Sequence, residues 1–242
     1  MTVTTVFSET NDGQITSSDA TYANALAGTG LGFGASTNTT GIRIGQEDIA
    51  GESFVDLGYL SFDTSSISDT DTVSSIVLSV YITTDSSTVD FTLRAREHDW
   101  GATLTTADWL VPATLSGKTL LASISTAGIS INAYNDLTSQ AAFLTATNLK
   151  TGTVYTVLGS SRFESSTGPP AGGSPEAITI SSADVSGTSQ DPKLVITHLP
   201  PHTGTISATF PFLDAVATGT IGSQPFRTAP NRFIRVTSRL RF

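Results

Sequence analysis

One short segment, REHDW at residues 96–100, contains the side chains that enzymes use to move protons. Glu97, His98 and Asp99 could act as general acids or bases, because carboxyl and imidazole groups exchange protons near neutral pH. In a strand, Glu97 and Asp99 would point to one face and His98 to the other, which leaves a carboxylate pair. Such a pair also forms calcium sites and salt bridges, and catalysis would need further groups placed by the fold. We therefore expect a strand end in which Trp100 is mostly buried, and no enzymatic activity.

Other catalytic and cofactor-binding patterns are missing from the sequence. There is no cysteine, which excludes disulfides and thiolate chemistry, and no G-x-S-x-G nucleophile motif. His198 and His202 have the spacing of a helical zinc site, but the two prolines between them prevent a helix. The glycine-rich segment 27–36 lacks the Lys-Ser/Thr pair of a P-loop, and the aspartates of 63–71 do not have EF-hand spacing. We expect no metal and no cofactor.

The spacing of apolar residues predicts an all-β fold. Segments such as YLSFD and SSIVLSVYIT alternate apolar and polar residues, and turn-forming clusters such as TDSST and SSTGPPAGGSPE separate the segments. The predicted strands lie at residues 2–7, 41–44, 54–62, 73–83, 89–97, 119–125, 153–159, 177–181 and 193–198. The pattern is typical of an antiparallel, jelly-roll-like β-sandwich. One helix is predicted at 137–152, and residues 105–110 are expected to add one helical turn.

Two prolines, Pro200 and Pro201, divide the chain, because neither a strand nor a helix continues through them. Residues 1–200, the predicted β-sandwich domain, contain seven basic and twenty acidic residues, a net charge of −13. Residues 201–242 contain five arginines and one aspartate, a net charge of +4. Such asymmetry is typical of a segment that binds a partner. We expect residues 201–242 to be an extended, basic C-terminal arm for anchoring and assembly.

In this arm, apolar residues alternate with arginines, as in a strand that is added to the sheet of a neighbouring molecule. The residues predicted to anchor the arm are Phe226, Arg227, Arg232, Phe233, Arg235, Arg239, Arg241 and Phe242.

Four segments of the first 200 residues carry a family resemblance. They are LGYLSFDTSSISDTDTVSSIVLSVYI (57–82), DFTLRAREHDWGATLTTADW (90–109), YNDLTSQAAFL (134–144) and SSADVSGTSQDPKLVITH (181–198). In type and order they resemble the DNRLRE-type, carbohydrate-binding-module-like β-sandwich family. The resemblance implies the sandwich fold, but this fold occurs in bacteriophage virion proteins, bacterial surface proteins and secreted glycan-binding modules alike. Ser68 stands where the family has proline, and the chain after residue 200 lies outside the family.

The resemblance and the uneven charge together lead us to expect a structural protein of a bacteriophage virion, assembled in the cytoplasm of the bacterial host. It would decorate or stabilise the capsid, or act as an accessory component of the tail. The expected partners are other virion proteins (major capsid or tail proteins) and further copies of the chain in a homo-oligomer. The charge of −13 argues against nucleic acid as a partner. No run of about 18 apolar residues is present to span a membrane.

The alternative is a carbohydrate-binding module, or a phage receptor-binding module, of an extracellular or surface protein. Such modules place exposed aromatic rings against sugar rings, with help from polar and charged side chains. The candidate glycan contacts are Arg94, Trp100, Trp109 and Tyr134. The competing interpretation of both tryptophans is that they pack at the ends of the sandwich.

Overall fold

The computed structural model describes residues 1–30, 32–37, 40–150, 152–169 and 173–201, together with the backbone of four short strands beyond residue 204. The chain divides into two compact units, Met1–Pro200 and Pro201–Phe242. In the second unit, β13 (Thr205–Thr209) pairs with β14 (Val216–Thr220), and β15 (Arg227–Thr228) pairs with β16 (Arg232–Phe233).

The first unit is built mainly from antiparallel strands, which confirms the predicted all-β class. Its strands are β1 (Thr2–Phe7), β2 (Gly13–Asp19), β3 (Gly34–Ser36), β4 (Gly41–Ile49), β5 (Glu52–Asp63), β6 (Thr72–Asp85), β7 (Thr92–Glu97), β8 (Leu120–Ser125), β9 (Ala133–Ser139), β10 (Thr153–Ser160), β11 (Glu176–Ser181) and β12 (Lys193–Leu199). Its helices are α1 (Tyr22–Ala27), α2 (Pro112–Gly117) and α3 (Ser161–Glu164), with 3-10 turns at Thr106–Asp108, Thr126–Gly128 and Ala141–Thr145.

Eight of these strands form a closed barrel rather than the predicted sandwich. Their order is β6-β11-β4-β5-β10-β7-β8-β9, and β9 pairs again with β6. The physical reason is the length of β6, which has fourteen residues and pairs along both edges. One edge pairs with β12 and then β11, and the other pairs with β9 from Leu78↔Leu137 to Ile82↔Ala133. The strands outside the ring are β12 and β1 on one side, and β2 and β3 on the other.

Alternation along the strands fills the barrel with apolar side chains. On β6, every second residue is buried, and these residues are Ile76, Leu78, Val80 and Ile82. On β5, Leu60 and Phe62 join the barrel core, while Val55, Leu57 and Tyr59 point to the other face and join a second cluster. We call this second cluster the outer aromatic core; its buried members are Ile15, Ala25, Val55, Leu57, Tyr59, Trp100, Leu104, Leu110, Leu115, Val157 and Phe163. Because both faces of β5 are covered, it is buried almost throughout.

Two local predictions have different outcomes. The helix predicted at 137–152 is wrong, because residues 137–139 belong to β9 and only one 3-10 turn, Ala141–Thr145, follows. Pairing of Leu137 with β6 outweighs the local helix preference, as tertiary contacts commonly do. The turn predicted within 105–110 is confirmed as Thr106–Asp108, where Thr105 and Asp108 form a reciprocal capping box.

Leu137→Ala is predicted to lower the free energy of unfolding by about 2–5 kcal/mol, because it opens a cavity beside the pairing that closes the barrel. Leu137 is 2% exposed and Leu144, the matched control, is 36% exposed. Leu144→Ala should change stability by less than about 0.5 kcal/mol. Urea unfolding measures both, and equal losses in the two variants would contradict the closed core.

Candidate interaction surface

The REHDW segment leaves the barrel at the end of β7, and its two carboxylates bind nearby backbone amides. The carboxylate of Glu97 accepts a hydrogen bond from the backbone amide of Thr147 at 2.5 Å, and that of Asp99 accepts one from the backbone amide of Gly101 at 3.0 Å. Each of the two carboxylates is therefore held by its own backbone amide. Burial lowers the pKa of the half-buried His98, and the Lys118 cation lowers it further, so the imidazole is neutral at pH 7.

Trp100 is a buried member of the outer aromatic core, and Trp109 is a half-buried ring packed against it. Trp100 is 4% exposed, and its ring meets Tyr59 and Tyr155 edge-on, at centroid distances of 6.2 and 5.1 Å. The Nε1 of Trp109 donates to the carbonyl of Leu26 at 3.1 Å. Gly28 makes room for this ring, since a Cβ there would lie 2.5 Å from Trp109 and the backbone φ is +68°. These contacts fix the loop after β7 to α1 and β5, and they leave the Trp100 ring no open face.

The arginines of the first unit are held by internal carboxylates. Arg43 pairs with Asp56 and Glu47, each at 2.7 Å. Arg94 and Arg96 both pair with Glu164 on α3, at 2.5 and 2.6 Å, and Arg162 pairs with the fully buried Glu176 at 2.5 Å. Arg94, a candidate glycan contact, is therefore part of a structural ion pair. Because the arginines are neutralised internally, the excess negative charge of residues 1–200 lies on the other acidic side chains.

Tyr134 lies apart from the tryptophans, on β9. Its ring meets Tyr81 of β6 edge-on at 5.4 Å, and the Nζ of Lys193 lies 3.6 Å from its centroid. Its hydroxyl donates to the carbonyl of Asp191 at 2.9 Å. Tyr81, Tyr134 and Lys193 are each half-buried. Of these three residues, only Tyr134 was predicted from the sequence, because its two neighbours come from strands more than fifty residues away in each direction.

Thr4, His198 and Asp71 form a largely buried relay that has no signal in the sequence. The Nδ1 of His198 lies 2.6 Å from the Asp71 carboxylate, and its Nε2 lies 2.9 Å from the hydroxyl of Thr4. The connectivity is that of a nucleophile triad. However, Thr4 pairs with the fully buried Ile196, so its side chain points to the inward face of the sheet. The relay therefore acts as a latch that ties β1 to β12 and to the start of β6.

β1 and its neighbours present an open edge and a partly apolar outer face. In the described chain, β1 pairs with β12 alone, from Thr2↔His198 to Phe7↔Lys193. The residues of this face are the exposed Met1, Val3, Thr5 and Leu199 and the half-buried Val77, Val195 and Thr197. Val3 is 62% exposed. We call the unpaired backbone side of β1 the β1 edge.

The chain crosses from β1 to β5 just after this edge, and Asp12 anchors the crossing. The amide of Ser8 donates to the carbonyl of Pro192, just before β12, at 2.8 Å, whereas the amide of Glu9 donates to the carbonyl of Ser61 on β5 at 3.0 Å. The Asp12 carboxylate is 1% exposed and accepts the amide of Ser61 at 2.8 Å. Burial raises the pKa of Asp12 well above its ordinary value, and the neighbouring carboxylates of Glu9 and Asp184 raise it further.

An open cleft of about 460 Å³ lies between the loop before β6 and the turn after β9. Its lining consists of Asp69, Leu144, Thr145, Ala146, Asn148, Leu149 and Lys150. The ammonium of Lys150 donates to the carbonyls of Asp69 and Asp71, at 2.7 and 3.0 Å, so it holds the loop in place. Among the described residues, no three His, Asp or Glu side chains are grouped so that they could hold a metal ion.

The predicted anchoring residues fall mostly outside the described part of the chain, which is the case for Phe226, Arg235, Arg239, Arg241 and Phe242. The backbones of Arg227, Arg232 and Phe233 lie in the short β15–β16 pair, where Arg227 is opposite Phe233.

No protein-family model matches the chain, and a search of curated proteins found no match. In the described chain, no helix is long and apolar enough to cross a membrane.

The Asp12→Asn variant is predicted to become more stable relative to the wild type as the pH rises from about 4 to 8, because the wild type loses stability over this range. The folded protein keeps a proton on Asp12 at pH values where the unfolded chain, with an ordinary pKa of 3.8, has lost it. The stabilising contribution of Asp12 is therefore present below that pKa and is lost as the pH rises through the folded pKa. The asparagine keeps an acceptor for the Ser61 amide and carries no charge.

Asp63→Asn is the control with the opposite sign. Hydrogen bonds from Ser65 lower the pKa of the exposed Asp63. Its contribution is present above the ordinary pKa of 3.8 and is lost as the pH falls through the folded pKa. This variant should therefore lose stability relative to the wild type as the pH rises to about 4, and the difference should stay constant from about 4 to 8. Urea unfolding at several pH values measures both variants. A constant difference between Asp12→Asn and the wild type would contradict a buried, protonated Asp12.

Proposed function

We propose that the chain is a structural protein of a bacteriophage virion, and that its copies assemble through the C-terminal segment, residues 201–242. The observation that carries the proposal is the separation of charge between two compact units. The first unit has a net charge of −13 and keeps its arginines in internal ion pairs, whereas residues 201–242 have a net charge of +4. Opposite charges on two units of one chain favour contacts between copies.

Two further considerations support a structural rather than a catalytic role. In REHDW, the Glu97 and Asp99 carboxylates bind backbone amides and the Trp100 ring is packed against other aromatic rings. The Thr4–His198–Asp71 relay points its hydroxyl to the inward face of the sheet. The placement in a virion, on the capsid or tail, rests on the family resemblance and makes capsid or tail proteins the further partners of the assembled copies.

Removing residues 201–242 should convert a defined oligomer into a monomer. Light scattering of the full chain and of residues 1–200 measures the masses, and circular dichroism checks that the shorter chain keeps its strands. A matched variant of the full chain, with Arg227, Arg232, Arg235, Arg239 and Arg241 changed to glutamine, removes the positive charge and keeps the length and the apolar residues of the segment. It should weaken association most at low salt, since screening already weakens exposed charge pairs at high salt. An oligomer that survives the truncation would overturn the role of this segment.

Carbohydrate recognition is the second candidate, and the cluster of Tyr81, Tyr134 and Lys193 favours it. Half-buried aromatic rings beside a cation are suited to a sugar ring that carries hydroxyl or acidic groups. In this proposal the contact site is this cluster, since Trp100 is buried and Arg94 is paired.

Tyr134→Ala is predicted to lower binding on a glycan array at least about tenfold, which corresponds to about 1.4 kcal/mol. Tyr134→Phe keeps the ring and removes only the hydroxyl that binds Asp191, so it should retain most of the binding. If the wild-type chain binds no glycan on the array, or if Tyr134→Ala binds as well as the wild type, this second candidate is overturned.

A further inference from the structure

We propose that the β1 edge accepts a strand from the C-terminal segment, residues 201–242, of a second copy of the chain. This inference rests on the proposed assembly function and adds the acceptor surface. The contact would extend the sheet of one copy with a strand of another, a mode in which backbone hydrogen bonds supply affinity and side chains supply selectivity.

The backbone of β1 is oriented to accept such a strand. N–H and C=O groups alternate in direction along a strand, and the amide of Ser8 points to β12 while that of Glu9 points away from it. The pairing of β1 with β12 contains no bulge, so the same alternation runs back along the strand. The amides and carbonyls of Val3 and Thr5 therefore point to the β1 edge. Both side chains are exposed as well.

β1 also lacks the features that normally protect an edge strand. Natural edges are blocked by charged side chains, prolines, bulges or very short strands. The sequence of β1, TVTTVF, has no charge and no proline, and it pairs in a regular register over six residues. The other described strand of the first unit with a single neighbour, β3, has only three residues. β1 is thus the edge on which a pairing strand could make several hydrogen bonds.

Charge favours the C-terminal segment as the occupant over a second β1. Two β1 edges in contact would bring together two units of net charge −13, whereas residues 201–242 carry +4. The backbone of this segment also forms strands, as β13 to β16 show.

The start of the segment favours a contact between copies. The chain leaves β12 at Leu199, next to the beginning of β1, and continues through Pro200 and Pro201. Consecutive prolines favour an extended backbone. Pairing with β1 of the same copy would instead require the chain to reverse direction sharply just after Leu199.

Thr5→Pro in the full chain tests the proposal. Proline at position 5 removes the amide that points to the β1 edge and leaves intact the amides that pair with β12. An edge strand accepts proline at a position of this kind, where the missing N–H would face away from the sheet. We expect the oligomer mass of the wild type to fall to the monomer mass of 25.1 kDa at the same concentration. Thr5→Val, the matched control, keeps the amide and the strand preference, and it should remain an oligomer.

Thr5→Lys provides a second test that does not alter the backbone. A lysine at this exposed position repels the basic segment, so it should weaken association at least about tenfold at low salt and less at high salt. Thermal unfolding of each variant checks that the first unit is folded. If the Thr5→Pro variant does not fold, the result for the Thr5→Lys variant decides between the outcomes.

The outcomes separate this inference from the assembly function. If the wild type and both variants form the same oligomer, the β1 edge is not the acceptor, while assembly through residues 201–242 stands. If the 1–200 chain is itself an oligomer that Thr5→Pro dissociates, β1 pairs with a second β1 and the C-terminal occupant is wrong. If the wild type is a monomer, both proposals fail.

Discussion

The pairing of β6 with β9 is the constraint on which the rest of the structure depends. It turns a row of strands into a closed ring, because β6 is long enough to pair with β12 and β11 along one edge and with β9 along the other. Closure fixes which side of every strand faces inward and how little room remains there. At Gly58 of β5, for example, a Cβ would lie 2.9 Å from both Ile42 and Ile44. The outer aromatic core then covers the other face of β5.

Several ionisable side chains of the first unit hold strands, short helices or loops to the barrel. A buried charge is costly unless a partner and hydrogen bonds compensate it, and the structure supplies both for Glu176. This carboxylate lies 2.5 Å from the Arg162 guanidinium and accepts a hydrogen bond from the side-chain amide nitrogen of Gln46 at 2.7 Å. The same nitrogen of Gln46 also binds the carbonyl of Thr167, which fixes the loop after α3. Residue types that suggest chemistry in the sequence are thus used for attachment.

The sequence predicts those parts of the fold that have a local cause. β1 and β12 are found within one residue of their predicted bounds, since alternation and flanking turns define them. β2 and β9 were missed because GQITSSD and AYNDLTS contain few apolar residues, and long-range pairing with β5 and β6 makes them strands. Closure of the barrel has no local signal. The same holds for the Asp71–His198 contact, whose residues are 127 positions apart.

A closed ring has no edges, so contacts that extend the sheet must use strands outside it. Among the described strands of the first unit, β1 and β3 each have one neighbour, and β1 is the longer. The latch of Thr4, His198 and Asp71 holds β1 from its inward side, and Asp12 holds the crossing that follows. A strand fixed in this way loses little further conformational entropy when another strand pairs with it, so more of the hydrogen-bond energy remains for association. The interactions that anchor β1 in its own unit therefore also prepare its free edge for a partner.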